Sequence, residues 1–286
     1  MRAKVSKIVL DGNGSYLGME KGCFVVRDKD QNVQRYPLFE NEIGEVVLKS
    51  GNAISTSALA SLGFWEIDVL ILTQKGIPVA MLKSLEDDSH VKTRVSQYEA
   101  SKNSKGVHVA KQIVLAKVES QNQLLKSLGL RQLDLFTVKG LVNGIESDNL
   151  SHVRKKLLAI EGHEGNRYFK QIFLMFPKDV RVENRISFKA YDGLNNTFNL
   201  AYSVLKWKVH RAILKAKLEP YLGFLHSETF GKPSLVCDLM ELYRCLVDGF
   251  LIQYSKGLGK RDFTMKNEGF SKHRKGKREY LKLLIY

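Results

Sequence analysis

Near residue 87 the sequence changes its period, and that change constrains the fold more than any other feature. Before it, short segments rich in Val, Ile, Leu and Phe read as strands: KVSKIVL, YLGMEKGCFVVRD, VQRYPLF, EIGEVVLKS, DVLILTQ and PVAMLK. Gly12-Asn13-Gly14 and Lys21-Gly22 mark turns between them. Gly12-x-Gly14 matches half of a dinucleotide fingerprint, but no third glycine follows at the required spacing, and a hairpin turn is the expectation there. One segment, STSALASLGFW, carries helix formers behind a Ser/Thr start suited to capping. After LEDDS the apolar residues recur three and four apart, from HVKTRVSQYEASK through KQIVLAKVESQNQLLKSLG and LDLFTVKGLVNGI to SLVCDLMELYRCLVDGFLIQYSKG. Pro177 and Pro220 fall between these helical stretches. The expected fold class is α+β, with a β-rich domain over residues 1–86 and a larger all-α domain over residues 87–286.

Charge divides at the same place. Residues 1–86 carry 10 Lys+Arg against 10 Asp+Glu, whereas residues 87–286 carry 35 against 20, so the net +15 resides wholly in the helical part. A neutral module joined to a basic one points to a polyanionic partner for the second. No apolar run is long enough to cross a bilayer and the N-terminus does not resemble a signal peptide, so no membrane association and a cytoplasmic location are expected. Cys23, Cys237 and Cys245 form no CxxC pair and read as small buried hydrophobes.

Three stretches of the helical part carry candidate chemistry. In SLVCDLMELYR, Asp238 and Glu241 stand three apart and share one face of a largely apolar helix. Buried carboxylates require a cation, either a metal or a basic side chain such as Arg244. His226, in EPYLGFLHSETF, sits in a loop leading into that helix; it is a core histidine or a ligand. Glu161 lies inside the apolar helix LLAIEGHEGNRYF beside Gly162, whose presence in a helix suggests a packing or site reason. Glu164 reads as an exposed charge pairing with Arg167 or Lys170. Two carboxylates and a histidine suit Mg²⁺ or Mn²⁺, although zinc accepts the same ligands.

LLAIEGHEGNRYF, EPYLGFLHSE and SLVCDLMELYR, in that order, resemble the signature of the CRISPR-associated spacer integrase, the universal adaptation protein of those immune systems. DGLNNTFNLAYSVL is similar to that family's Asp-Pro-x-Asn…Tyr stretch, and GSYLGMEKGCFVVRDKD and EVVLKSGNAIS to its N-terminal strands. The resemblance spans essentially the whole chain. It implies metal ligands at Glu161, His226 and Glu241, with Asp238 completing the catalytic set and Asn195, Tyr168 and Arg244 in support. It implies a metal-dependent endonuclease and integrase that uses Mg²⁺ or Mn²⁺ and joins 3′-hydroxyl ends of a short DNA to phosphodiesters of a CRISPR repeat. The implied partners are double-stranded and branched DNA, a second copy of the chain bound through the N-terminal domain, and a second small adaptation protein.

Some positions depart from the pattern. His163 and Glu164 follow the glutamate–glycine pair where small residues are usual, and both are alternative ligands. Gly193 and Leu242 replace prolines. The alternative function is a DNA-binding scaffold of the same adaptation complex with an inactive site. A third reading, a nucleotide-binding enzyme, rests on SKGLGKR at residues 255–261. Tyr254 stands where a P-loop has glycine, and Arg261 where it has Ser or Thr.

Overall fold

In a computed structural model the chain is described at residues 5–38, 42–74, 76–84, 91–187, 190, 192–257, 259, 263–266 and 269–271. It folds as two compact units, Met1–Ser89 and His90–Tyr286.

The first unit contains two four-stranded sheets. Strand β1 (Val5–Leu10) pairs in parallel with β5 (Glu42–Lys49), which pairs in parallel with β7 (Asp68–Leu72); β8 (Pro78–Leu82) closes that sheet antiparallel. The other sheet runs β4 (Val33–Pro37), β3 (Cys23–Arg27), β2 (Tyr16–Glu20) and β6 (Ala53–Ile54). Lys21 and Gly22, both at positive φ, make the two-residue turn that pairs Glu20 with Cys23. The Gly12-Asn13-Gly14 turn is not a hairpin. β1 pairs in parallel with β5 and β2 lies in the other sheet, so this turn carries the chain between sheets. Helix α1 (Thr56–Phe64), capped by the Ser55 side chain on the Ala58 N–H, supplies the crossover between parallel β5 and β7. Its buried Ala58 and Leu62 join Ile8, Leu17, Phe24, Val46 and Val69 in one core.

The second unit is helical: α2 (Val91–Ala100), α3 (Ser104–Ser127), α4 (Leu135–Asn143), α5 (Leu150–Ile172), α6 (Gly193–Lys215), α7 (Ser234–Glu241) and α8 (Arg244–Tyr254). Its core runs through all the longer helices, with Val114, Val118, Leu157, Tyr168, Phe198, Val236 and Leu251 almost wholly enclosed. The continuous periodic stretch SLVCDLMELYRCLVDGFLIQY is two helices. Leu242 N–H bonds to Leu239 O and Tyr243 N–H to Met240 O, three-residue bonds that tighten the backbone and end α7. Two short strands beyond α8, β9 (Thr264–Lys266) and β10 (Gly269–Ser271), form a hairpin that the helical periodicity did not announce. The basic stretch KHRKGKREYLKLLIY lies outside the described residues. Ser255–Gly257 is a 3-10 turn following a helix, not the strand that a P-loop requires. Among the described residues no helix is long and apolar enough to cross a membrane.

Candidate metal centre

Four helices bring the candidate residues to two neighbouring places, one around the middle of α7 at Asp238 and one around its last residue, Glu241. Asp238 and Glu241 share a buried face of that helix, and both are almost fully enclosed.

At the Asp238 end the partners are backbone donors. Asp238 Oδ2 accepts from the N–H groups of Phe224 (2.5 Å) and Leu225 (2.9 Å), and Oδ1 from that of His226 (2.8 Å). Oδ1 also lies 2.8 Å from His226 Nδ1. A carboxylate only accepts, so Nδ1 carries the proton and the lone pair is left on Nε2. The loop that carries His226 is held from two further helices. Gln97 on α2 donates to the carbonyls of Glu219 (3.0 Å) and Leu222 (2.9 Å) and accepts from Glu219 N–H, and Arg154 on α5 donates to Phe224 O (2.8 Å) and Gly223 O (2.5 Å). A Cβ on Gly223 would stand 2.7 Å from Ser234 Cβ and 2.9 Å from Asp238 Oδ2, so only glycine fits this approach. Asp238 is therefore a positioning residue for His226. Its oxygens are saturated, and it is not among the groups free to reach a substrate.

At the Glu241 end the partners are cations. Lys117 of α3, itself buried, makes an ion pair with Glu161 of α5, and its Nζ lies 2.5 Å from Glu241 Oε2. Arg244 Nη2 lies 2.8 Å from Glu241 Oε1. Burial pushes the Glu241 carboxyl up, but Lys117 and Arg244 outweigh it and hold the group below its usual range. Glu241 Oε2 is buried without a hydrogen bond, which leaves the charge of Lys117 as its compensation.

Behind Arg244 lies a polar knot in the core. Its guanidinium stands 4.8 Å from the centre of the Tyr202 ring. Tyr202 and Tyr168 donate their hydroxyls to the two oxygens of Asp248, at 2.5 and 2.7 Å. Burial raises the Asp248 carboxyl to about 6 against the opposing pull of the two tyrosine hydrogen bonds and of Arg244 and Arg185. Burial also lifts both tyrosines well above their usual value, with the Asp248 charge adding to it.

The remaining expected residues take other places. Asn195 is fully buried at the start of α6, where it donates to Asn184 O (3.0 Å) and accepts from Ile186 N–H (2.9 Å), so it ties down the preceding chain. Glu164 is buried rather than exposed, with Arg167 at 3.2 Å and His163 Nε2 at 3.7 Å. Its helical position turns it into the core, and Arg167 supplies the charge that burial requires. Gly162 has no close neighbour; a Cβ there would meet nothing within 4 Å, so the packing reason expected for it is absent. Gly193 faces the Phe263 ring, which a side chain would strike. The sequence reading missed Lys117 and Asp248, and held Tyr202 only as the tyrosine of the DGLNNTFNLAYSVL stretch. Lys117 carried a signal: it falls on the stripe Ala110, Val114, Val118, Gln121 that α3 buries.

The donor set fits a divalent ion in part as it stands. Glu161 and Glu241 already share one cation, and hard carboxylate oxygens with one imidazole suit Mg²⁺ or Mn²⁺. Among the described residues no three His, Cys, Asp or Glu side chains converge on a common point, and the Lys117 ammonium bridges the two glutamates.

The family model described as CRISPR associated protein Cas1 matches residues 8–285. A CRISPR-associated endonuclease Cas1 of Archaeoglobus fulgidus is 31% identical over 264 residues, covering 83% of this chain and 74% of its own. One from Pyrobaculum aerophilum is 31% identical over 253 residues, covering 86% and 81%. In fold, a Cas1 protein from Thermotoga maritima superposes with a TM-score of 0.76 at 20% identity, over 97% of this chain and 88% of that one. A casposase gives 0.76 at 20% identity over 98% and 82%. With the match running through both units, the chain belongs to the CRISPR-associated Cas1 family.

Proposed function

We propose that the protein is a metal-dependent DNA endonuclease and integrase that joins the 3′-hydroxyl ends of a short DNA fragment to phosphodiesters of a CRISPR repeat, using Mg²⁺ or Mn²⁺. The observation that carries this reading is the convergence of Glu161 and Glu241, from two helices, on a single cationic atom, with an imidazole oriented by Asp238 near enough to act on the Glu241 charge. The curated relatives are named endonucleases, the casposase was solved bound to integration product, and further structures of similar fold are a Cas6-RT-Cas1–Cas2 complex, matched over 32% of its chain, and a Cas1–DNA complex.

In this reading Glu161, Glu241 and His226 through Nε2 would hold the metal. The bound ion would supply Lewis acidity to a phosphodiester and lower the pKa of an attacking hydroxyl. Asp238 fixes the imidazole tautomer, an orientation that strengthens a ligand. Arg244 holds Glu241 from the side away from Lys117 and fixes the carboxylate plane. The helical unit, which carries the whole positive excess, draws DNA through its phosphates, so affinity falls steeply with salt. We assign a cytoplasmic location, a homodimer through the N-terminal unit and a small Cas2-like partner to the same reading.

The test is strand transfer with Mn²⁺ and a supercoiled target carrying repeats. His226→Ala is the cleanest variant, because it leaves the ion pairs of Lys117 intact and Asp238 still bonded to three N–H groups. Loss of joining and cleavage with DNA binding retained is expected for it, and for Glu161→Ala and Glu241→Ala. Full activity in any of these would remove that residue from the site. DNA binding by the wild type with no turnover at any Mn²⁺ concentration would indicate an inactive scaffold.

A further inference from the structure

We propose that Lys117 is a displaceable internal counter-ion, which holds the two glutamates when no metal is bound and makes metal loading depend on a DNA phosphate. The inference rests on the metal-dependent reading above. The charged cluster is Lys117, Arg244, Glu161 and Glu241, whose formal charges cancel. Lys117 and Glu241 are both almost fully enclosed, whereas Glu161 and Arg244 are the open members of the cluster, with 21% and 30% of their side chains exposed.

A divalent ion that takes the two glutamates leaves the cluster with two excess positive charges in a partly water-excluded place. That arrangement is costly, because the ammonium loses both of its carboxylate partners among the described residues while remaining near the newcomer. The displaced ammonium stays close by, since its stem rises from the buried stripe of α3, beside Val114 and Val118, both fully enclosed. A DNA phosphodiester arriving from the Glu161 side reduces the excess. It gives the metal an oxygen ligand and gives the displaced ammonium a new anion. Metal and DNA therefore bind cooperatively, each raising the affinity of the other by the same factor. Without DNA, Lys117 keeps the site closed to stray divalent ions, so the integrase is armed only on its substrate.

The experiment is a Mn²⁺ titration of the full-length protein, followed by the electron paramagnetic resonance signal of free Mn²⁺. It is run with and without a duplex whose 3′ ends are dideoxy-terminated and cannot be joined. For the wild type, the duplex should tighten Mn²⁺ binding about 5- to 150-fold, the usual span of coupling between sites. Lys117→Met should bind Mn²⁺ at least tenfold more tightly than the wild type without DNA, and the duplex should add little. Lys117→Gln, which keeps a hydrogen-bond donor but no charge, should behave as Lys117→Met does and covers the case in which methionine is not tolerated. Equal Mn²⁺ affinity in the wild type and both variants, with or without the duplex, overturns the role of Lys117 and leaves the metal site standing. Absence of saturable Mn²⁺ binding in every protein, duplex present, overturns the metal reading itself and this inference with it.

Discussion

Helix α7 presents two carboxylates three residues apart, one turn from each other, with opposite surroundings. Asp238 faces three backbone N–H groups and an imidazole, none of which can leave without unfolding the loop. Glu241 faces an ammonium and a guanidinium on flexible stems. Burial is nearly equal, so enclosure does not separate a structural acid from a reactive one. What separates them is whether the compensating partner can be exchanged.

The largest test of that contrast is Asp238→Ala. It orphans three backbone donors and the His226 ring together, and a loss on the order of 4 kcal/mol or more is expected in denaturant unfolding. A loss below about 1 kcal/mol would contradict the structural role given to Asp238. Glu241→Ala should lose about 3 kcal/mol by leaving Lys117 half-compensated, and Lys117→Met in the same chain should restore most of it, since an emptied pair is cheaper than a broken one. No such rescue partner exists for Asp238.

Asp248, behind Arg244, gives the contrast a pH axis. Its carboxyl rises from 3.8 to about 6 on folding, which corresponds to about 3 kcal/mol. The stability that belongs to its neutral form is complete below about pH 4 and is lost as pH rises through about 6. Glu241, held low, works the other way and loses stability as pH falls. Asp248→Asn should remove the decline between pH 4 and 6, seen in melting temperatures across that range; an unchanged profile would show that Asp248 ionises freely.

Two glycines complete the series. Gly223→Ala, at the Asp238 end, should cost about 2 kcal/mol through overpacking against Ser234 and Asp238. Gly162→Ala, beside Glu161, has open space and should gain about 0.5–1 kcal/mol from helix propensity. If both moved in the same direction by thermal melting, the picture of a tightly built end and a roomier one would fail.

Much of this was legible from residue patterns. The change of period near residue 87 announced strands followed by helices, and the spacing of Asp238 and Glu241 announced a shared buried face needing cations. The ranking of the two was not legible, because it depends on where the loop of residues 222–226 folds back, a contact 12 to 14 residues away along the chain. Lys117 was overlooked because a lysine in an amphipathic helix usually runs its stem along the apolar face with its head in water. Asp248 was hidden because its hydrogen-bond partners Tyr168 and Tyr202 lie 80 and 46 residues away along the chain, although Arg244 stands one helical turn before it. Hairpin pairing at Gly12–Gly14 was misjudged because a turn signal does not say which sheet receives the next strand.

The break between α7 and α8 has an electrostatic consequence of its own. Glu241 is the last residue of α7 and Arg244 the first of α8. Each therefore sits at the helix end whose peptide dipoles have the same sign as its own charge. In one uninterrupted helix both would lie mid-span, where those end effects vanish. By stopping and restarting, the backbone adds a fixed negative potential at the carboxylate that a side-chain substitution elsewhere cannot reproduce. The break thus acts as a permanent electrode beside Glu241, and closing it into one helix would weaken the pull on any cation, ammonium or metal, that this glutamate holds.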